Sequence, residues 1–268
     1  MAKLRLDKLL IARGMFASRE RAREAIINGE VFVGGRAETK AGAQVDEAAE
    51  IEFRGRELPF VSRGGLKLEK ALDVFGIDLS GAHAADIGAS TGGFTDCMLR
   101  AGASKVYAID VGSDQLAESL RADERVVNME RTNIRDLKPS DIGEPLDFAS
   151  IDVSFISLGL VLKPVFAILR DGGEAVALVK PQFEAGRENV GKKGVVRDPT
   201  LHLMVLEKLV ENANSAGFGV KSLDYSPIRG PEGNIEYLAH LIVGGQNGKF
   251  DLKELVFRSH EELSEGNR

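Results

Sequence analysis

Asp86-Ile87-Gly88-Ala89-Ser90-Thr91-Gly92-Gly93-Phe94 is the stretch on which the reading of this chain turns. The apolar run Ala84–Ile87 ahead of it has strand character, and Gly92–Arg100 behind it has helical spacing, so a Gly-rich turn joins a strand to a helix. Such a turn lets a ligand approach the backbone and lays helix N–H groups beneath it. Its spacing is Gly-x-x-x-Gly-Gly, not the Gly-x-Gly-x-x-Gly of a pyrophosphate-binding dinucleotide fold. No Gly-Lys-Ser/Thr follows, so it is not a phosphate-binding loop either. The next strand, Lys105–Ile109, ends at Asp110, 22 positions after Gly88, where a carboxylate can accept two hydrogen bonds from a ribose diol. A Gly-rich turn with a ribose acid and no phosphate cradle calls for a nucleoside ligand without phosphates, and S-adenosylmethionine is the candidate. Gly88, Ala89, Ser90, Gly92 and Gly93 are expected to line its methionine side and Asp110 to hold its ribose. Asn133, after the third strand, is placed for an adenine edge or serves only its turn. Phe94 packs near the cofactor or in the core.

Outward from this turn the pattern is a series of βα units. A helix over Leu66–Phe75 precedes the first strand. A helix over Gln115–Leu120, a short strand at Val126-Val127, a strand over Leu146–Ile151 and a helix over Leu158–Leu169 follow. Then come a strand over Glu174–Val179, a helix over Leu201–Ala216, strands over Val220–Tyr225 and Ile235–Val243, and an amphipathic helix over Phe250–Leu263. Repeated βα units imply an α/β fold with a mostly parallel sheet covered on both faces. The last two strands have no helix between them, which makes the final one antiparallel. The expectation is a Rossmann-like, seven-stranded sheet domain over residues 61–268, preceded by a small α+β domain over residues 1–60.

That first domain has its own rhythm. Leu6, Leu9, Leu10 and Arg13 follow helical spacing to Gly14, and Ser18 is placed to cap a helix over Arg19–Asn28. Val31-Phe32-Val33 and Ile51-Glu52-Phe53 read as strands, Gly34-Gly35 as a hairpin turn, and Arg54–Phe60 as a linker. The whole chain of 268 residues carries a net charge of −6, yet residues 1–40 hold nine basic groups against five acidic ones. A locally basic unit on an acidic body suits a nucleic-acid reader attached to something else. Lys3, Arg5, Arg19, Arg23 and Lys40 are the RNA-binding candidates, as phosphate contacts that orient without reading sequence.

Other classes are excluded by composition. Charged residues make up 28% and hydrophobic ones 43%, which rules out a disordered chain. One cysteine, Cys97, rules out a disulfide framework and a Cys-based zinc cluster. Neither the four histidines nor Cys97 shows ligand spacing, so no metal is expected. The opening MAKLRLDKLL has no apolar segment behind its charges, and no run of about 18 apolar residues is free of charge. The expectation is a cytoplasmic protein that meets no membrane and has no obligate protein partner.

A second set of signals lies at strand ends. Asp152 closes Leu146–Ile151, Lys180 closes Glu174–Val179, and Glu236 opens the last strand. In a doubly wound sheet the carboxyl ends of parallel strands gather at one edge, beside the nucleotide crevice. An antiparallel last strand brings its beginning, and so Glu236, to the same edge. Lys67, in Arg63-Gly64-Gly65-Leu66-Lys67, sits on a helix that can reach it.

With Asp86–Phe94, Ser62–Lys67, Ile151-Asp152-Val153-Ser154-Phe155-Ile156-Ser157, Val179-Lys180-Pro181-Gln182-Phe183-Glu184 and Asn234-Ile235-Glu236-Tyr237, the chain resembles the TlyA family of FtsJ-like ribose methyltransferases over nearly its whole length. Residues 3–60 resemble the S-four type RNA-binding domain. The resemblance implies S-adenosylmethionine-dependent 2′-O-methylation of cytidine in ribosomal RNA, with ribosomal RNA or a ribosomal subunit as partner. It also implies a catalytic tetrad of Lys67, Asp152, Lys180 and Glu236, with Asp152 also close to the cofactor. In this reading Lys180 stands nearest the hydroxyl, lowering its pKa or accepting its proton. One departure is that the family's interdomain Arg-x-Trp-Val falls on Leu58-Pro59-Phe60-Val61 and differs at its first and third positions.

Three other readings are discriminable. An NAD-dependent oxidoreductase lacks the third glycine and gives Lys67 and Lys180 no task. A non-catalytic ribosome-binding or assembly factor needs only the basic amino-terminal unit. A membrane-active haemolysin, a label borne by proteins of the resembled family, finds no membrane span in the sequence.

Overall fold

The structure, a computed structural model, describes residues 3–16, 19–55, 59–191 and 193–265. The expected cap at Ser18 and the linker residues 56–58, Leu58 among them, lie outside the described residues. The chain divides into two compact units, Met1–Ser62 and Arg63–Arg268, two residues past the boundary expected from the sequence.

In the first unit, β1 (Lys3–Arg5), α1 (Leu6–Ala12), α2 (Arg19–Ile27), β2 (Val31–Val33), β3 (Arg36–Ala37), β4 (Gln44–Asp46) and β5 (Ile51–Phe53) follow in order. The apolar faces of the two helices bury Leu6, Leu10, Ala22 and Ile26 against Val31. Gly34 and Gly35 both take positive φ, as a two-residue hairpin turn requires, and Val33 pairs with Arg36 across it. β2 also pairs with β5. The β1–β4 pair was not evident from the sequence, because three-residue strands of mixed polarity carry almost no alternation signal.

The second unit opens with α3 (Gly64–Phe75), β6 (His83–Ile87), α4 (Gly93–Arg100), β7 (Lys105–Ile109), α5 (Glu118–Arg121), β8 (Val126–Met129), α6 (Pro139–Ile142) and β9 (Leu146–Ile151). It continues with α7 (Leu162–Ile168), β10 (Leu169–Val179), α8 (Pro181–Glu184), α9 (Pro199–Ala216), β11 (Phe218–Tyr225), β12 (Tyr237–Val243) and α10 (Leu252–Glu265). Among the described residues the sheet has seven strands in the order β11-β12-β10-β9-β6-β7-β8, and β12 runs antiparallel to both its neighbours. After β6 the chain adds β7 and β8 on one side, then returns to lay β9 on the other. The crevice between β6 and β9 is therefore the topological switch point, where open α/β sheets bind ligands. The central strands are apolar on both faces because helices cover both. Ala84, Ala85, Leu146, Ala149, Ile151 and Val179 are fully buried.

Two elements differ from expectation for identifiable reasons. Leu158–Leu169 is not one helix: a 3₁₀ turn over Leu158–Leu160 precedes α7. Pro164 has no N–H to donate and is tolerated only in a helix's first turn, and α7 starts two residues before it, at Leu162. β10 begins at Leu169, not Glu174, because a register shift around Gly172 lets the strand rejoin β9.

Candidate active site

Strand register builds the site. Ile87 pairs with both Ile109 and Ile151, so the next residues along, Gly88, Asp110 and Asp152, stand in one row at the carboxyl edge. Ala177 pairs with Ile151, which sets Lys180 level with Ser154. Val179 pairs with Tyr237, which sets Lys180 level with Glu236. The antiparallel β12 thus delivers Glu236 to the edge where the parallel strands end.

The turn after β6 is locked from below. Asp86 is buried, and its carboxylate accepts hydrogen bonds from Thr95 N (2.9 Å), Thr95 Oγ1 (2.7 Å) and Ser150 Oγ (3.1 Å). Thr95 is the third residue of α4, so a strand side chain captures one of the helix's unpaired N–H groups. Burial pushes the Asp86 carboxyl up to about 7 against these hydrogen bonds. Gly88 has φ +88°. A Cβ there would overlap the Asp152 carbonyl oxygen and stand 3.0 Å from its carbon. The close approach of β6 and β9 is possible only with glycine at this position.

Above the row lies a cavity of about 440 Å³ lined by Gly88, Ser90, Asp110, Asn133, Asp152 and Ser154, with Ile109, Ile134 and Val161 as apolar walls. Asp110 Oδ2 accepts from Ser90 N (2.8 Å) and Oδ1 from Gly112 N (2.7 Å). Each oxygen keeps a lone pair, the arrangement that takes a vicinal diol. Asn133 Oδ1 is engaged by Arg135 N at 3.1 Å, leaving the amide nitrogen for a base edge. Asp152 Oδ1 is buried and lies 2.6 Å from the Lys180 ammonium. A carboxylate in the cavity wall, a diol acceptor and apolar walls fit a nucleoside carrying a positive centre. Among the described residues Arg135 is the only lysine or arginine lining this cavity, so those residues form no cradle for phosphates.

Ala89 is nearly buried and reaches a smaller adjoining space with Ser90, Asp110 and Gln115. Gly92, Gly93 and Phe94 do not line the larger cavity. Gly92 starts α4 beneath Leu116 and Leu120, and Phe94 is buried, so these three shape the turn from behind.

The four expected tetrad residues form two ion pairs. Lys67 Nζ donates to Glu236 Oε2 at 2.6 Å, with side chains 8% and 1% exposed. Lys180 Nζ lies 2.6 Å from Asp152 Oδ1 and donates to Ser154 Oγ at 3.0 Å. Asp152 and Ser154 line the cavity, so the second pair stands at its mouth. Glu236 Oε1 packs against Gly230, where a Cβ would come within 2.6 Å.

Three residues escaped sequence reasoning. Ser154 is the hydroxyl partner of Lys180. Glu184, buried, accepts Ser157 Oγ (2.7 Å) and Leu158 N (2.6 Å), tying the loop after β9 to α8, which follows Lys180. Phe155, 90% exposed with φ +63°, lines the cavity rim and packs at 5.0 Å on Phe183. A signal existed for each: polar or aromatic residues within the same motifs that supplied Asp152 and Lys180.

In the first unit, Lys3, Arg23 and Lys40 are exposed. Arg5 and Arg19 both donate to the buried Asp7, Arg5 at 3.0 and 2.9 Å and Arg19 at 2.9 Å. Hydrogen bonds from Arg5 first, and from Arg19, hold the Asp7 carboxyl down at about 2 against burial. The two guanidinium groups are thus fixed in place while 42% and 45% exposed.

Residues 60–242 match the family described as FtsJ-like methyltransferase, and residues 4–51 match the S4 domain. The chain is 49% identical over 263 residues to a Bacillus subtilis (strain 168) protein carried under the provisional name rRNA methyltransferase YqxC, covering 97% of this chain and 94% of that one. It is 41% identical over 265 residues to the 16S/23S rRNA (cytidine-2'-O)-methyltransferase TlyA of Mycobacterium tuberculosis (strain ATCC 25618 / H37Rv), covering 98% of both. A solved structure from Streptococcus thermophilus, provisionally described as a hemolysin, matches with a TM-score of 0.81 at 48% identity, covering 99% of this chain and 98% of that one. Among the described residues no helix is long and apolar enough to cross a membrane.

Proposed function

The chain belongs to the TlyA family of FtsJ-like methyltransferases, and on that footing we propose that it methylates the ribose 2′-hydroxyl of a cytidine in ribosomal RNA, using S-adenosylmethionine. The observation that carries this reading is the row at the carboxyl edge. A nucleoside cavity without a phosphate cradle has the Lys180–Asp152 pair at its mouth, level in register with Glu236 and its partner Lys67.

When bound, S-adenosylmethionine supplies an electrophilic methyl group on a sulfonium sulfur. Asp110 holds the ribose diol, and Asn133 meets the base edge. Gly88 and Ser90 lie under the amino-acid portion. Asp152, in the cavity wall, would turn its carboxylate to the positive centre while its Oδ1 holds Lys180. A ribose hydroxyl is a poor nucleophile, so the chain's task is alignment and stabilisation of the charge that develops on oxygen. Lys180, steered by Asp152 and Ser154, would direct N–H donors to that oxygen, and the Asp152 carboxylate of the pair would take up the hydroxyl proton. The Lys67–Glu236 pair, buried and mutually neutralised, fixes the floor on which the target ribose rests. Lys3, Arg5, Arg19, Arg23 and Lys40 hold RNA phosphates on the first unit, and the proposed substrate places the work in the cytoplasm.

The test is transfer of labelled methyl to separated ribosomal subunits from a strain lacking the modification, followed by mapping. Label on a cytidine ribose is expected. Retention of NAD instead of S-adenosylmethionine, or label on a base, refutes the reading.

A further inference from the structure

Residues 187–197 read Arg-Glu-Asn-Val-Gly-Lys-Lys-Gly-Val-Val-Arg, four cations against one carboxylate in a chain of net charge −6. Lys192 lies outside the described residues. None of these side chains has a part in the chemistry above.

The backbone of this loop is fixed by buried side chains. Asn234, 1% exposed, accepts Val196 N at 3.0 Å through Oδ1 and donates to Gly194 O at 2.9 Å through Nδ2. Fully buried His202 contacts Val196 O through Nε2 at 3.0 Å and the Tyr237 hydroxyl through Nδ1 at 2.7 Å. Burial lowers the His202 pKa to about 4, so near neutral pH the ring is uncharged and its Nε2–H donates to the carbonyl. Gly194 N donates to Gly191 O at 2.8 Å, closing a tight turn that carries Lys193. Burying an amide and an imidazole is tolerable only when their polar atoms are paired, and here the pairing is with one loop.

That loop presents charge outward. Lys193 and Arg197 are exposed and, among the described residues, neither has a side-chain hydrogen bond or ion pair. They line an open cavity of about 520 Å³ with Asn189 and Asp198. Asp198 does not neutralise them by contact: its Oδ1 accepts Thr200 N (2.9 Å) and Oγ1 (2.7 Å), capping α9. Asn234 stands two residues before Glu236, so one segment presents Glu236 to Lys67 and pins the basic loop. A cationic surface held in one shape beside the reacting edge suits an extended polyanion. Both cations being exposed argues against an enclosed small anion.

We propose that Lys193 and Arg197 are a phosphodiester grip on the methyltransferase unit, holding the substrate RNA's backbone next to the nucleotide whose ribose enters the Lys180 site. The inference rests on the methyltransferase reading for the identity of that nucleotide's site, while the grip itself is measurable without turnover.

The test compares full-length wild type with Lys193→Gln/Arg197→Gln in binding fluorescein-labelled single-stranded RNA of mixed sequence across a salt series. Each lost phosphate contact on a single strand removes about 0.7 from the slope of log K against log salt. Two contacts therefore remove about 1.4, or roughly 25-fold in affinity near 0.1 M salt. The matched pair Lys249→Gln/Lys253→Gln, which removes the same charge elsewhere, keeps the wild-type slope, and S-adenosylmethionine affinity is unchanged in both. A wild-type slope in the 193/197 variant, or an equal loss in the 249/253 variant, overturns the proposal. Wild-type protein that transfers no methyl to ribosomal subunits defeats the enzymatic reading separately.

Discussion

Replacing Gly88 with alanine tests how the β6–β9 crevice is built. At φ +88° an alanine is in a conformation that costs about 1–2 kcal/mol for an L-residue. Its methyl also overlaps the Asp152 carbonyl oxygen, so the two strand ends must part by on the order of 1 Å, an overpacking cost of about 1–3 kcal/mol. The sum, about 3 kcal/mol, corresponds to roughly 6–12 °C in Tm for a unit of this size. Because Asp152 and its partner Lys180 move with the strand end, methyl transfer should fall roughly 100-fold. Gly143→Ala is the control. Its φ is +84°, but nothing lies within 4 Å of a Cβ there, so only the backbone cost applies and cofactor binding is untouched. Thermal unfolding and calorimetric titration with S-adenosylhomocysteine read both variants. If Gly88→Ala matches Gly143→Ala in Tm and binds the nucleoside as wild type does, the close-approach argument is wrong.

Two further outcomes are expected. Removing one member of the buried Lys67–Glu236 pair, as in Lys67→Met or Glu236→Gln, leaves the other charge uncompensated and costs about 3–5 kcal/mol in urea unfolding, whereas Lys67→Met/Glu236→Leu restores stability without restoring transfer. A double variant as unstable as the worse single one contradicts this. For Asp86, the folded chain keeps a proton that the unfolded chain releases between the ordinary value of 3.8 and about 7, so its contribution to stability is full below that window and is lost as pH rises through it. Wild type should lose on the order of 2 kcal/mol relative to Asp86→Asn between about pH 5 and about pH 7, and a difference independent of pH counts against the assignment.

Much of the site was legible because it depends on backbone direction. Apolar runs locate the strands, a Gly-rich turn marks the crevice, and a strand–loop–strand ending reverses β12, which is enough to bring Glu236 to the edge occupied by Asp152 and Lys180. What escaped was partner choice. Charge counting places Arg5 and Arg19 on a basic surface, but it does not reveal that Asp7, between Leu6 and Leu10 on the buried face of α1, draws both toward itself. The motif's Asp86 reads as part of a ligand turn, yet it faces the core and holds α4. Asn234 and His202 look like ordinary polar positions until the loop they hold is traced through the fold. Long-range hydrogen bonds to backbone leave no periodic trace in a sequence.

The most direct measurement exploits the chemistry of the product. A 2′-O-methyl ribose has no hydroxyl to attack its own phosphodiester, so alkali leaves a labelled dinucleotide where any other methylation leaves a labelled mononucleotide. After reaction of labelled S-adenosylmethionine with unmodified ribosomal subunits, wild type is expected to yield alkali-stable label. Lys180→Ala is expected to yield none while binding S-adenosylmethionine within a few-fold of normal. Undiminished alkali-stable label from Lys180→Ala, or only mononucleotide label from wild type, contradicts the account.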